Sequence, residues 1–214
     1  MRQLSLFESP ETSWTELPFL VIDTETTGLD AKQNRVIEWA WVLFENQQIS
    51  LSEARLCAIT ESIPAQITEI TGISDQMLHD QVPFSEHIAD FLKAASKAAF
   101  WVAYNAPFDH GFLSHEFTRA GQQLPEAQWI DPCVFIRELD RYQKGKKLEQ
   151  AAKRWGVSIS NAHRALADAT ATGHLLLKLI PKLPTNSLVE LAKLQDRWRQ
   201  QQKEQYELYK SKLS

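Results

Sequence analysis

Asp23, Thr24 and Glu25 close the apolar run Phe19-Leu20-Val21-Ile22, and Thr26-Thr27-Gly28 follow them. A short apolar run closed by polar residues and glycine reads as a buried strand ending in a turn. Side chains alternate along an extended chain, so positions 23 and 25 share a side and Thr24 faces away. Two hard oxygen ligands then converge on one point, which suits Mg²⁺ or Mn²⁺. A strand-end acidic pair that is merely solvated has the same local pattern, so the pair gains meaning only from partners elsewhere in the chain.

Three such partners exist. Asp109 follows Tyr104-Asn105-Ala106-Pro107-Phe108. It stands near the start of an expected helix, where free amide groups favour a carboxylate whether or not it does chemistry. The segment Asn161-Ala162-His163-Arg164-Ala165-Leu166-Ala167-Asp168 sets a histidine five positions before an aspartate. On one continuous helix these would point ~140° apart. Either both are incidental, or His163 lies on the loop entering the helix and folds over a site that Asp168 lines. Taken together, the residues describe four carboxylates and one imidazole. Four carboxylates do not cluster without cations. Two divalent ions would relieve the repulsion and support in-line attack of water on a phosphodiester. A histidine titrating near neutrality suits removing a proton from that water.

The elements that must position these groups are β-rich first and α-rich later. A strand is expected over 18–23 and a second over 35–44, where Val36, Ile37, Trp39, Trp41, Val42, Leu43 and Phe44 are strong β-formers. Asn46-Gln47-Gln48 turns it into a third. Pro64 makes a loop and a short helix the expectation for 63–73. Ile88, Phe91, Leu92 and Ala95 recur at helical spacing over 86–99. Residues 100–104 form another buried-strand candidate, ending at Asn105-Ala106-Pro107. Helices are expected near 109–120, 132–143, 147–155, 163–180 and 187–212, the last with Leu188, Leu191, Leu194 and Trp198 on one stripe. This order predicts an α/β fold with a sheet flanked by helices, its chemistry gathered at strand ends. The strands ending at Asp23 and Asn105 are expected side by side.

The 214 residues suffice for one α/β domain with extensions, and 43% hydrophobic with 23% charged residues is ordinary globular composition. No stretch resembles a membrane span or export signal, and Cys57 and Cys133 are far apart, which together predict a reducing, cytoplasmic setting. The net charge of −4 argues against a protein that coats nucleic acid electrostatically, though not against an enzyme gripping a few nucleotides. One stretch is locally basic: Arg141, Lys144, Lys146, Lys147, Lys153 and Arg154, with Glu149 the only acid between them. It reads equally as a solvated helical face or as a phosphate contact. His79, His87, His110, His115 and His174 read as surface or packing residues.

Phe19 to Leu29, Asn105 to Asp109 and His163 to Asp168 resemble, in order and over roughly residues 18–180, the three motifs of the DEDDh family of 3′–5′ exonucleases. That group includes the proofreading subunit of bacterial replicative DNA polymerase. The resemblance implies a ribonuclease H-like exonuclease fold, with a mixed five-stranded sheet flanked by helices. It implies a metal-dependent enzyme that hydrolyses phosphodiesters and releases nucleoside monophosphates from 3′ ends, using two Mg²⁺ or Mn²⁺ ions. Asp23, Glu25 and Asp168 would hold the first ion, Asp23 would bridge to the second, Asp109 would support that one, and His163 would be the general base. The backbone at Thr26 and Thr27, with Glu25, would receive the terminal 3′-hydroxyl. Gly28, Leu29 and Phe108 would border the last base, with Leu29 as a wedge. Asn105 and the stretch Ile70-Thr71-Gly72-Ile73 would also line the nucleotide.

Gln3-Leu4-Ser5-Leu6-Phe7 resembles the short peptide by which many bacterial proteins bind the sliding clamp of replication. A disordered tail would place Leu4, Leu6 and Phe7 in apolar pockets, and tethering would raise the local concentration of enzyme near DNA. The other reading is an arm that packs these residues on its own domain. Residues 1–16 are thus expected as a flexible tail, 17–182 as the exonuclease domain and 183–214 as a helical extension. That extension would pack on the domain, or bind a polymerase or a second copy. DNA 3′ ends are the expected substrate. An RNA 3′-end exonuclease of the same family, or an inactive adaptor on the clamp or DNA ends, are the rivals.

Overall fold

The computed structural model describes residues 13–160 and 163–212. Five strands form one sheet in the order β3-β2-β1-β4-β5. Strand β1 (Phe19–Thr26) lies at its centre, antiparallel to β2 (Val36–Glu45) and parallel to β4 (Phe100–Val102). Strand β3 (Gln48–Leu56) extends one side and β5 (Trp129–Ile130) the other. Asn46 and Gln47, at φ 52° and 62°, make the two-residue β2–β3 turn, in which both central positions need positive φ. Every residue of β2 but the last is buried, which explains its unbroken apolar run.

Helices cover both faces of the sheet. Leu20, Ile22, Trp39, Trp41 and Trp101 pack against α3 (Phe84–Ala95) and α4 (Ala106–Arg119). Phe19, Val21, Val42, Phe44 and Val102 point the other way, toward α5 (Pro132–Leu139), α6 (Leu148–Arg154), α7 (Ala165–Leu179) and α8 (Leu188–Ser211). Phe19 stacks between Phe44 (4.8 Å) and Phe100 (5.4 Å), fixing β1 to both neighbours. Two short helices, α1 (Ala65–Thr71) and α2 (Asp75–Leu78), cover the end of the sheet near Ile37. No helix among the described residues is long and apolar enough to cross a membrane.

The α/β fold and the adjacency of the Asp23 and Asn105 strands agree with the sequence reading. Four details differ. Strand β1 runs on through the acidic pair to Thr26, because Glu25 pairs with Glu38 across the ladder. Helix α4 begins at Ala106, three residues before Asp109, with Pro107 inside its first turn, where a missing amide proton costs nothing. Strand β5 has only two residues, too few for a periodic signal. Trp14, assigned to the tail, is instead buried, its indole N–H donating to the Thr185 carbonyl at 2.8 Å and its amide to Asn186 at 2.8 Å. The folded unit therefore includes Ser13 to Glu16. The same contacts tie it to the start of α8, whose Leu188 and Leu191 belong to the core and whose Trp198 meets Phe135 edge-on at 6.0 Å. The proximal half of the expected extension is thus part of the domain.

Helix α7 reaches the sheet through Gly173, where an added Cβ would stand 2.3 Å from the Phe44 ring and 3.1 Å from Val21. Gly173→Ala must lift the helix or tilt the ring. Urea unfolding is expected to show a loss of about 1–3 kcal/mol. Mn²⁺ binding is expected to weaken as well, because Asp168 lies on the same helix. A variant as stable and as avid as the parent would show that this close approach does not set the position of α7.

Candidate active site

Asp23 and Glu25 project from the face of β1 that meets α7, and Asp168 projects from the first turn of α7. One carboxylate oxygen from each of the three lies within 4.8 Å of the others. Asp168 Oδ2 accepts the His163 amide at 3.2 Å, while its Oδ1 is buried without a hydrogen-bond partner. Thr24 faces away, as alternation requires, yet it is not idle. Its hydroxyl donates to Asp109 Oδ1 at 2.9 Å in a fully buried pair, holding the carboxylate of α4 behind the strand end. Asp109 thus stands behind the cluster, its charge among those raising Asp23 and Glu25, and is reached from the opposite face of the sheet.

Close, buried carboxylates resist ionisation. Burial pushes Asp23 well above the usual carboxylate range, reinforced by the charges of Asp109, Glu25, Asp168 and Glu38 in that order. Glu25 rises to about 8, first through burial and then through Asp168, Glu38 and Asp109, with Arg164 opposing. Asp109 rises to about 7 through burial, against the Thr24 hydrogen bond. Asp168 also rises through burial, against the His163 amide. An all-carboxylate donor set with one orphaned buried oxygen fits a hard divalent cation, which removes both the repulsion and the missing contact.

Two buried acids that the sequence reading did not single out hold this arrangement in place. Glu38, opposite Glu25 on β2, accepts the Arg164 guanidinium (Nη2 at 2.6 Å, Nε at 3.1 Å) and the Ala165 amide at 2.9 Å. It therefore caps α7 and fixes the turn from which Asp168 projects. Asp131, the N-cap of α5, accepts the amides of Asn105 (2.9 Å), Ala106 (3.2 Å) and Cys133 (3.0 Å). Its own amide donates to Gln195 of α8 at 2.6 Å. This pin sets the left-handed backbone of Asn105 (φ 70°) that launches α4 and Asp109. An acidic residue on the inward side of an otherwise apolar strand was the available signal for Glu38.

The remaining expected site residues fall into place unevenly. His163 lies on the loop entering α7, at φ 66°, but its Nε2 faces Glu149 Oε1 at 3.0 Å rather than the carboxylate cluster. Leu29 is 87% exposed and Ile70 54% exposed, free to meet a base. Asn105 is exposed, Gly28 is half-buried, and Phe108 is half-buried against Phe112 at 4.8 Å. The hydroxyls of Thr26 and Thr27 are taken by their own turn, bonded to the Gly28 carbonyl (2.6 Å) and the Arg35 amide (3.0 Å). The Thr27 amide donates to the Arg35 carbonyl at 2.9 Å. Thr71 is buried, its hydroxyl donating to the Ile67 carbonyl and accepting the Ile73 amide. Gln3, Leu4, Ser5, Leu6 and Phe7 lie outside the described residues. Of the other histidines, His87 is buried against the Leu56 carbonyl, and His110 and His174 meet Trp129 and Phe44 edge-on.

A mixed sheet carrying acids at the end of its central strand, faced by an acid on α4 and another on α7, defines a ribonuclease H-like exonuclease fold. The model of the RNase T exonuclease family matches residues 20–176. The chain is 36% identical over 180 residues to the 3′–5′ exonuclease DinG of Bacillus subtilis, a match covering 82% of this chain and 19% of that protein. It is 38% identical over 166 residues to a PolC-type DNA polymerase III of Halalkalibacterium halodurans, covering 76% of this chain and 11% of that one. The chain therefore spans about a fifth or less of the curated relatives it matches. Its fold superposes on Escherichia coli ExoI in a complex with single-stranded DNA, with a TM-score of 0.68, 21% identity and coverage of 79% of this chain and 41% of that one. The chain belongs to the RNase T exonuclease family.

The raised carboxylates carry a stability prediction. Without divalent metal the folded state holds protons that the unfolded chain releases near pH ~4. The stability they contribute is therefore complete below that pH and is lost as pH rises through about 7 to 8, where Asp109 and Glu25 ionise. The metal-free melting temperature is expected to fall between about pH 5 and pH 9, and Mn²⁺ should restore it at the alkaline end. Asp23→Asn should raise the alkaline melting temperature and flatten the fall. A metal-free melting temperature that climbs over this span would contradict the assignment.

Proposed function

We propose that this chain is a 3′–5′ exonuclease that acts on DNA ends in the cytoplasm and is brought to them by a sliding clamp. The observation that carries the catalytic part is the convergence of Asp23, Glu25 and Asp168 oxygens within 4.8 Å, with Asp168 Oδ1 buried and unpaired. Asp23, Glu25 and Asp168 would hold one divalent ion, and Asp23 with Asp109 would serve a second. Two Mg²⁺ or Mn²⁺ ions supply charge neutralisation for in-line attack of water on the terminal phosphodiester. Thr24 keeps Asp109 aimed at the strand end, and Glu38 keeps the first turn of α7 in place. His163 leaves Glu149 and accepts the proton of the attacking water on Nε2, a move that its place on the loop before α7 permits. Leu29, Ile70 and Phe108 border the terminal base, with Gly28 and Asn105 beside them. The product is a nucleoside 5′-monophosphate.

The choice of DNA rests on the similarity to a DNA polymerase III and on the clamp-like pattern Gln3-Leu4-Ser5-Leu6-Phe7. All five acidic and imidazole positions are present, which favours an active enzyme over a nuclease-like adaptor. Cys57 and Cys133 are both free and buried, in keeping with a reducing compartment.

Purified protein with Mg²⁺ or Mn²⁺ is expected to shorten single-stranded and mismatched DNA from the 3′ end, releasing monophosphates. Asp23→Asn should abolish this while the protein stays folded. His163→Ala should slow turnover about 100-fold or more with Mn²⁺ affinity retained. Leu6→Ala with Phe7→Ala should remove binding to a clamp and leave short-oligonucleotide hydrolysis unchanged. Degradation of RNA with no action on any DNA would overturn the substrate reading, and equal loss of clamp binding and hydrolysis would overturn the role of the tail.

A further inference from the structure

The segment between α5 and α6 holds the densest run of cations in the chain. Residues 137–154 contain seven Lys or Arg against three Asp or Glu, in a protein whose net charge is −4. The structure sorts these cations into two groups. Lys146 turns inward and donates to the carbonyls of Asp140 and Gln143. Arg154 donates to the Asp140 carboxylate at 2.9 Å and to the Lys144 carbonyl at 3.2 Å, and Trp155 joins the same carboxylate at 3.2 Å. Gly145 turns the chain at φ 76°, with the Gln150 side chain filling the space where a Cβ would stand. Arg141 pairs with Glu138. The loop is therefore built around inward-facing cations, while Lys144 and Lys147 stay exposed on its outside. Between them and Arg141 stands Tyr142, 91% exposed, an aromatic ring that contributes nothing to the core.

Two contacts place this loop on the rim of the carboxylate cluster. The Tyr104 hydroxyl donates to the Lys146 carbonyl, and Tyr104 immediately precedes Asn105 of the turn that launches Asp109. Glu149, two residues beyond Lys147, meets His163 at 3.0 Å. A residue spans at most ~3.6 Å, so Lys147 lies within ~8 Å of the Glu149 backbone and Tyr142 within ~14 Å of Lys146. We propose that this loop grips the single strand leading to the 3′ end. Tyr142 stacks on a base about two to four nucleotides back from that end, and Lys144 and Lys147 meet the neighbouring phosphates. The inference rests on the reading of the cluster as a 3′-end nuclease site and adds the element that holds the strand as it feeds in. Stacking on Tyr142 accepts any base, as a nuclease that works through mixed sequence requires.

Binding is read by fluorescence anisotropy with 5′-labelled oligo-dT of about two and about ten nucleotides, spanning the length range over which a stacking platform engages. The full chain carrying Asp23→Asn is used for binding, and the chain with Asp23 intact for turnover. Tyr142→Ala is expected to weaken the long probe about 5- to 100-fold and to raise its KM by the same factor with kcat unchanged. The short probe should not change, and Tyr142→Phe should restore the long one. Lys144→Gln with Lys147→Gln should reduce the slope of log affinity against log salt by about 1.4. Long-probe affinity that is unaffected by these changes, or loss that is equal for both probes, would overturn the inference. Failure of the nuclease reading looks different: the parent would hold the long probe, lose it with Tyr142→Ala, and hydrolyse nothing.

Discussion

The crowding and desolvation of four carboxylates, Asp109 buried and Asp23, Glu25 and Asp168 half-buried, is the constraint on which this structure turns. Asp23 and Glu25 occupy the end of a strand that is covered on both faces, and Asp168 and Asp109 are brought against it from opposite sides. Desolvation is the largest push on each of the four, joined at Asp23 and Glu25 by the charges of the neighbouring site acids, so all four are raised above the usual carboxylate range. The aromatic stack through Phe19, Phe44 and Phe100 ties the strand from which two of the acids hang to both of its neighbours.

The other buried acids show the contrast. Glu38 is met by Arg164 and the first amide of α7, Asp131 by three amides, and Glu116 by Arg35 at 2.8 Å and Arg119 at 3.0 Å. Each has its charge answered within the protein and acts as a fastener between elements. The site acids are answered more thinly, Asp109 by the Thr24 hydroxyl and Asp168 by the His163 amide, and the second Asp168 oxygen has no hydrogen-bond partner. Paired acids hold the scaffold, and unpaired ones wait for a cation from outside.

Much of this was legible in the sequence. The alternation at Asp23-Thr24-Glu25 placed both acids on one side, and of the two readings left open for the His163 to Asp168 gap, the structure shows His163 on the loop entering the helix. What the sequence could not show was long-range pairing. The partner of Thr24, Asp109, is 85 positions away, and that of Glu38, Arg164, is 126 positions away, so neither pairing has a local signal. Trp14 reads as tail until Thr185 is seen beside it, 171 positions on. Two-residue β5 carries no period at all, yet it aligns Asp131, which anchors the turn before Asp109.

The central claim is that Asp23, Glu25 and Asp168, with Asp109 behind them, would hold divalent cations and stay partly protonated until the cations arrive. Calorimetric titration of Mn²⁺ into the metal-free protein, in two buffers of different protonation enthalpy, counts the protons set free on binding. Near pH 7 about one proton or more per site should be released, with release falling toward zero above about pH 9 as the acids ionise unaided. Binding at pH 7 with no proton release, or no binding at all, would contradict the account.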